Sequence, residues 1–410
     1  SVFVSRVCEQ ALTAVSLAFP AQNLMIGLAT GTAVGVNALM GRALGAKDQE
    51  RANAVAINGV FLAVVGFAIC AVLALLFAGP FFRSQTQIDY IVENGTDYLL
   101  VCCCGSLGLF CEIMFERLLQ GTGRSILSMY TQGLGAIVNI VLDPIFIFVL
   151  DMGVTGAAVA TVIGQWVAAL LAVVFNLTRN PEVQLGLRYL RLRKAVVGPI
   201  LTVGIPSIVM MAIGSVMNFG MNQILQGFDE TATGVFGIYY KLQSFFFMPL
   251  YGLNNATISI VAFNYGAKKP KRITHTLKLA CAVAFTLMVI GVAVFQAVPE
   301  LLLGIFNPSD RFLEIGCSAL RIISIHFPLA AFGIALSASF QALGNGIYST
   351  IVSLCRQLVV LLPAAYLLSL SGNVHNVWWS FPIAEVISLT VTLLLFTRIY
   401  RQKIQPMMKA

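Results

Sequence analysis

Long apolar stretches constrain this chain more than any other feature of its sequence. A helix needs about 20 apolar residues to cross roughly 30 Å of hydrocarbon. Apolar residues make up 58% of the chain and charged residues 10%, and the mean hydropathy is +0.88, far from soluble averages. Eleven stretches are long enough to cross: 11–41, 53–80, 91–119, 126–150, 153–177, 195–226, 232–263, 274–298, 313–342, 348–371 and 376–399. The sequence predicts an all-α polytopic membrane protein.

The chain also matches itself at an offset of 221 residues. The matches are Gly45-Ala46-Lys47 with Gly266-Ala267-Lys268, Arg51 with Arg272, Gln120 with Gln341, and Gly123 with Gly344. Membrane proteins built from two similar halves are typically transporters, with the substrate site between the halves. We predict an N-terminal bundle over residues 1–180, a cytoplasmic linker over 181–194 and a C-terminal bundle over 195–410.

The offset predicts twelve helices, six in each half. The counterpart of the helix at 195–226 falls largely before Ser1, so we expect eleven helices here and a first helix ahead of Ser1. Because six is even, both halves should have the same orientation, related by an axis along the membrane normal. Two parallel six-helix bundles are the predicted fold.

Basic residues favour alternate connections and predict the topology. The richer side holds Arg42, Lys47, Arg51, Arg117, Arg124, Arg179, Arg188, Arg191, Arg193, Lys194, Lys268, Lys269, Lys271, Arg272, Arg398, Arg401, Lys403 and Lys409. The opposite side holds little beyond Arg6, Arg83 and Arg311. By the positive-inside bias, the basic loops and the C-terminus are cytoplasmic in a plasma (inner) membrane. The net charge of +8 is thus a topology signal, and nucleic acid is not an expected partner.

Asp143 is the strongest candidate for chemistry inside the bilayer, where an ionisable group needs a partner, a proton or water. Asn139 lies four residues earlier on the same helical face. Since the chain turns back near Met152, Asp143 and Thr161 lie at similar depth, roughly 13 Å from the turn. Their oxygens suit a proton or, as a metal site, Na⁺. The alternative is a satisfied polar cluster that supports a helix break at Pro144.

Glu112 and Glu116 are also four residues apart, so two carboxylates share one helical face. Like charges this close favour one retained proton. The pair is a candidate proton relay or an attraction for cationic substrates. The alternative is an ion cluster at headgroup level beside Arg117.

The second half has different intramembrane charges, since Ala364 occupies the position that matches Asp143. Lys241 either lines a cavity or pairs with Glu385, and we favour the pairing. The candidate cavity-lining residues are Gln22, Lys241, Gln243, Phe245, Met248, Arg356 and Glu385. Aromatic and methionine side chains suit varied apolar cations, although lipid-facing packing explains most of them equally well.

The nine cysteines show no CxxC pair and no Cys/His ligand spacing, so they are interpreted as packing residues. No HExxH or GxSxG motif is present. We therefore predict no cofactor and no enzymatic activity, with Na⁺ or H⁺ as a coupling ion.

Several segments together resemble one known family. They are residues 14–20 (AVSLAFP), 41–46 (GRALGA), 119–123 (LQGTG), 139–146 (NIVLDPIF) and 249–253 (PLYGL). Each resembles a segment of multidrug and toxic compound extrusion (MATE) transporters, in order along nearly the whole chain. The resemblance identifies the chain as a member of the prokaryotic multidrug efflux type, with its first helix ahead of Ser1.

The resemblance implies two lobes of six helices around a central cavity. It implies exchange of Na⁺ or H⁺ for small-molecule drugs, often cationic and amphipathic, by alternating access in a monomer within the lipid bilayer. In prokaryotic members the first-lobe cation site uses residues matching Asn139, Asp143 and Thr161, together with an acid on the first helix. The alternative within the superfamily is a lipid or lipid-linked saccharide flippase, which typically has further helices and an arginine-rich cavity.

Overall fold

The computed structural model describes residue 4 and residues 7–190, 194–228, 230–306 and 309–409. Within these ranges all regular secondary structure is helical. Contacts divide the chain into two compact units, Ser1–Ile208 and Val209–Ala410. Three basic residues of the topology argument, Arg6, Arg191 and Arg193, lie outside the described residues.

The first unit contains six helices and the start of a seventh. They are α1 (Glu9–Gly45), α2 (Gln49–Gln85), α3 (Asp89–Cys104), α4 (Leu107–Gly121), α5 (Ser125–Pro144), α6 (Gly153–Arg179) and α7 (Lys194–Gln226). A π-helical segment, Ile145–Val149, extends α5. The first part of α7 packs on α1 beside Gly31 and Gly35. The division between the units consequently falls within α7, after the predicted linker.

The second unit continues from α7 with ten further helices in the described chain. They are α8 (Glu230–Gly266), α9 (Pro270–Ala297), α10 (Pro299–Gly304), α11 (Asp310–Ser324), α12 (Phe327–Ala342), α13 (Gly346–Leu354), α14 (Leu362–Ser369), α15 (Val374–Val377), α16 (Ser380–Ile399) and α17 (Gln405–Lys409). Two π-helical segments interrupt them, Cys355–Leu361 and Tyr400–Ile404. Each segment widens a helix that otherwise runs on.

These helices provide up to eleven membrane spans in the described part of the chain, judged by length and composition. Nine are single long helices, and two are bent pairs: α3 with α4 at 43°, and α11 with α12 at 48°. The second break directly precedes Phe327-Pro328, where proline has no N–H to continue a helix. The eleven predicted stretches are confirmed, while the two bends are additional findings.

Each unit has its own apolar core. Phe82 and Phe110 are buried in the core of the first unit, and Phe295 and Trp378 are buried in that of the second. All four are at most 2% exposed. Each unit therefore buries large aromatic side chains within itself.

The backbone carries the repeat predicted from the sequence. Lys47 and Lys268, at equivalent positions after α1 and α8, both have positive φ, at 59° and 53°. Gly123 and Gly344, after α4 and α12, have φ values of 82° and 80°. Positive φ is uncommon for any residue but glycine, so its recurrence at one offset indicates that the two units share their turn conformations.

The segment after α6 is docked on the first unit. Asn180 and Val183 are 3% and 5% exposed. The backbone N–H of Gln184 donates to Asn53 Oδ1 at 2.8 Å, and the amide of Gln49 donates to the Glu182 carbonyl at 2.6 Å. The described part of the predicted linker, residues 181–190, is therefore held against α2, which supplies polar partners for its backbone.

Equivalent contacts tie each unit's final segment to its own turn. In the first unit, Arg124 forms an ion pair with Glu182 at 2.9 Å. In the second unit, Lys403 donates to Asn345 Oδ1 at 2.6 Å. Asn345 and Lys403 are each 221 residues after Arg124 and Glu182. The contact is repeated, but the positive charge has moved from the turn to the final segment.

Candidate functional site

Two glycines bring α5 and α6 close together in the first unit. A Cβ added to Gly164 would lie 2.8 Å from the carbonyl oxygen of Gly135 and 3.1 Å from Asn139 Cβ. Only a residue without a side chain allows this approach. The hairpin between the helices closes through Asp151 and Gly153, both with positive φ. The turn predicted near Met152 is therefore confirmed.

This close approach places Asn139 on Thr161. The amide nitrogen of Asn139 donates to Thr161 Oγ1 at 3.2 Å, and the Thr161 hydroxyl donates to the Ala157 carbonyl at 2.9 Å. The amide oxygen of Asn139 is not used by the contact, and a hydroxyl oxygen has a second lone pair. The pair therefore retains oxygen acceptors at matched depth, as the sequence predicts.

Asp143 lies one turn further along α5, at the point where the α-helix ends at Pro144. Its side chain is partly buried, and its Oδ1 atom is inaccessible to solvent with no hydrogen-bond partner. A buried acceptor without a donor is costly, and more so for a charged group. Within the predicted trio, the Oδ1 atom of Asp143 is the acceptor that a bound proton or cation would satisfy.

Polar residues from α1 and α3 extend this region. The amide of Gln22 donates to Tyr98 Oη at 3.3 Å and contacts Cys102 Sγ at 3.4 Å. Tyr98 is 6% exposed and lies on α3, which packs against α6, the helix of Thr161. Sequence reasoning missed Tyr98. The available signal was its spacing of four residues from Cys102, which puts both on one face of α3.

Glu116 joins α4 to α5. It is 4% exposed, and its two oxygens accept hydrogen bonds from Thr131 Oγ1 and Gln132 Nε2, both at 2.7 Å. Charge-assisted bonds of this length are among the stronger ones in proteins. Glu112, one turn earlier, is partly buried. The carboxylate of Glu116 is satisfied by its neighbours, in contrast to that of Asp143.

In the second unit, Glu385 faces Arg356. The Glu385 side chain is 4% exposed, and its Oε1 lies 3.8 Å from Arg356 Nη1. Lys241 is exposed. The expected pairing of Lys241 with Glu385 is wrong, because the cationic group beside that buried carboxylate is that of Arg356, on the π-helical segment Cys355–Leu361.

The other candidate lining residues divide by burial. Gln243 accepts a hydrogen bond from Tyr239 Oη at 2.6 Å. Phe245 and Met248 are 77% and 69% exposed on the second unit. These two side chains are available to a ligand or to lipid, whereas Gln243 is engaged within the unit.

The described residues contain no group of three or more His, Cys, Asp or Glu side chains that could hold a metal ion. The nine cysteines are all free thiols, and Cys102 and Cys103 are buried. Any bound Na⁺ would need amide and hydroxyl oxygens, as Asn139 and Thr161 supply.

Up to eleven spans within the described residues, grouped in two units with polar side chains inside each, define a multispan membrane protein. The MatE family model matches residues 1–145 and 206–367 of the chain. The chain belongs to this family.

Among curated relatives, the multidrug export protein MepA of Staphylococcus haemolyticus is 23% identical over 376 residues, covering 92% of this chain and 83% of the relative. MepA of Staphylococcus aureus is 23% identical over 384 residues, covering 94% and 85%. Both likenesses extend over most of the two chains.

Solved MATE structures match the whole chain. One, of MATE in complex with MaL6, has a TM-score of 0.93 at 28% identity, covering 100% of this chain and 92% of that one. A second, described as an outward-facing multidrug resistance MATE family transporter of the MOP superfamily, has a TM-score of 0.93 at 27% identity and covers 100% and 91%. A third, a MOP superfamily transporter from Pyrococcus furiosus described as having a binding pocket of reverse polarity, gives the same values.

Proposed function

We propose that this protein is a secondary active exporter that exchanges Na⁺ or H⁺ for small-molecule drugs across the plasma membrane by alternating access. Family membership and the multidrug export relatives support efflux of drugs. The exposed Phe245 and Met248 side chains favour amphipathic cations as substrates, because aromatic rings and thioethers adapt to such ligands. No covalent step is part of the proposal.

The observation that carries the coupling role is the buried, unpartnered Oδ1 of Asp143. It lies one turn from the Asn139–Thr161 pair, whose remaining acceptors can complete a shell of hard oxygens. A proton or Na⁺ arriving there would neutralise the carboxylate and remove the cost of its burial. Asn139, Asp143 and Thr161 are therefore the proposed coupling residues.

Neutralisation of Asp143 can change the conformation of α5. Pro144 ends α5 directly beside it, and the π-helical turn Ile145–Val149 follows. Proline and π-helical turns are recognised places of helix bending. In the proposed cycle the ion changes the bend of α5, and this change lowers the affinity for drug on the outer side. The second unit, with Ala364 in place of the acid, mainly supplies substrate surface.

The proposed orientation has the basic turns inside. Lys47, Lys268 and Lys269 lie in turns at equivalent ends of the two units, and Arg401 and Lys403 follow α16. The positive-inside bias assigns these ends and the C-terminus to the cytoplasm. We propose a monomer as the transporting species.

The full-length protein in proteoliposomes tests this function. Efflux of a fluorescent cation should be driven by an imposed Na⁺ gradient or an imposed pH gradient, and comparing the two identifies the coupling ion. Asp143→Asn should abolish ion-driven efflux while the protein still inserts. Tyr130→Phe, a conservative change at an exposed position of α5, serves as a control for general damage to that helix. Wild-type efflux by the Asp143→Asn variant would reject the coupling assignment.

A flippase for lipid or lipid-linked saccharide is the alternative. Arg356 favours it, because a partly buried guanidinium can bind a phosphate group, and one structural neighbour is described as suggesting a different function. Scrambling of a labelled anionic lipid by the same proteoliposomes, without efflux of dye, would favour this alternative.

A further inference from the structure

An incomplete ion pair lies inside the second unit. Glu385, on α16, is 3% exposed, and its Oε1 atom has no hydrogen-bond partner. The nearest cationic group is the guanidinium of Arg356, at 3.8 Å, whose side chain is 25% exposed. The two residues are on different elements, so packing of the unit creates the pair.

The distance between Glu385 Oε1 and Arg356 Nη1 is too long for a hydrogen-bonded ion pair. A charge-assisted bond between an N–H donor and a carboxylate measures about 2.7–2.9 Å, and a buried ion pair repays desolvation only when its atoms are hydrogen-bonded. At 3.8 Å, with an unpartnered oxygen, the contact meets neither condition. Glu385 can resolve this in two ways: by gaining a proton, or by closing onto Arg356.

Among the titratable groups of the described residues around Glu385, only Arg356 carries a charge near neutral pH. Tyr239 and Tyr251, both on α8, are close enough to interact with the carboxylate, as is Arg356. His326, at the start of α12, is buried and interacts with Arg356. Phenols and a buried neutral imidazole carry no charge near neutral pH. Arg356 is therefore the permanent charge of this set.

The backbone around Arg356 departs from a regular α-helix. Arg356 is the second residue of the π-helical segment Cys355–Leu361, and Pro363 follows in the first turn of α14. Single π-helical turns are rare and often occur at functional sites. Conversion of such a turn to an α-helical turn shifts the side chains beyond it by one residue, a rotation of about 100°. Such a conversion would change the position of Arg356 relative to Glu385, because Arg356 lies within the segment that converts.

We propose that Glu385 is a proton-binding site of the second unit, and that its carboxylate exchanges a proton for closer contact with Arg356. The proton adds to one carboxylate oxygen, and the guanidinium keeps its charge throughout. The site has no counterpart in the first unit, because the position matching Glu385 there is occupied by Gly164. Its place in a transport cycle rests on the proposed function, whereas proton binding itself can be measured without transport.

Infrared spectroscopy of the full-length protein in lipid nanodiscs tests the proposal directly. A protonated carboxylic acid has a C=O band that disappears on ionisation. We expect a band that disappears with rising pH in the wild type, is absent in Glu385→Gln, and is retained in Glu112→Gln and in Asp143→Asn. Glu385→Asp, with a shorter acid, should keep a titrating band at a shifted frequency, which covers the case in which Glu385→Gln does not fold.

Substitution of Arg356 provides the second part of the infrared experiment. Arg356→Gln should move the titration midpoint of the band upward by about 1–3 pH units, the range by which a neighbouring cation shifts a carboxyl group. Arg356→Lys should leave it near the wild-type position. An identical pH series for Glu385→Gln and wild type, or an unmoved midpoint in Arg356→Gln, would overturn the proposal. Absence of dye efflux by the wild-type protein would instead reject the proposed function. The infrared test of proton binding at Glu385 does not depend on that result.

Discussion

The contact between α5 and α6 allows one prediction to be worked out in detail. Gly164→Ala adds a methyl group 2.8 Å from the Gly135 carbonyl oxygen, whereas ordinary contact begins at 3.4 Å. The helices must therefore separate by about 0.6 Å, the difference between those distances. The same movement would lengthen the Asn139–Thr161 hydrogen bond from 3.2 Å to about 3.8 Å, beyond bonding distance.

Two effects of this separation can be measured. Overpacking should lower the free energy of unfolding by about 1–3 kcal/mol. Loss of one hydrogen bond, about 0.5–1.5 kcal/mol, should weaken activation of efflux by Na⁺ or H⁺ by roughly two- to tenfold. Thermal unfolding in detergent and the ion dependence of dye efflux from proteoliposomes measure the two quantities.

The matched control is Gly133→Ala on the same hairpin. A Cβ added there meets nothing within 4 Å, so this change should be neutral or stabilise the helix by up to about 1 kcal/mol, with unchanged ion dependence. If Gly164→Ala and Gly133→Ala show the same ion dependence, helix separation does not affect coupling and the Asn139–Thr161 contact does not contribute to it.

Three further predictions concern single sites. Raising Na⁺ or lowering pH should weaken drug binding to the solubilised full-length protein by about 5–150-fold, because coupled sites are reciprocal; a flat dependence, or one that persists in Asp143→Asn, contradicts the mechanism. Glu182→Gln should cost less than about 1 kcal/mol, because both partners of its ion pair with Arg124 are partly exposed. Partial burial raises the pKa of Glu182, but the hydrogen bonds from Arg124, a backbone hydrogen bond and the charge of Arg124 together outweigh this and hold the pKa below its usual value. The contribution of Glu182 should therefore be complete above the usual carboxyl pKa and disappear as pH falls through the lowered value; denaturant titrations at several pH values check both statements. Lys268→Gly should stabilise the protein by up to about 1 kcal/mol because φ is positive there, while Lys268→Ala should give no gain in the same melting experiment.

Hydropathy was sufficient for the spans, because an apolar stretch of membrane length has few alternatives to a helix. The positions of the two bends were not predictable in this way. The break at Gly105-Ser106 lies against Val162 of another helix, so it depends on packing that no local pattern contains. The contact of Asn139 with Thr161 was predictable, since a hairpin turn fixes the relative depth of two neighbouring helices.

The partner of Glu385 was not predictable for a related reason. Lys241 is exposed, and the cationic group beside Glu385 is that of Arg356, in a π-helical segment that the residue pattern does not predict. Tyr98 was missed because α3 is brought against α6, the helix of Thr161, only by the tertiary fold. Helical periodicity thus gives the face of a side chain along one helix, and it gives no information on which helix lies opposite.

The reversed charges of the two segment-to-turn contacts bear on how a duplicated protein assembles. During synthesis, the turn at Arg124 is made before the final segment that carries Lys403. Because the two halves are similar, the final segment of one half could bind the turn of the other. Lys403 at the position of Glu182 would face Arg124, so two like charges would meet. Glu182 at the position of Lys403 would face the carbonyl oxygen of Leu343 and the amide of Asn345, so a carboxylate would lie beside an oxygen that cannot donate to it. The turn of each unit therefore disfavours the final segment of the other unit. The two contacts thus favour pairing within a unit over exchange of final segments between units.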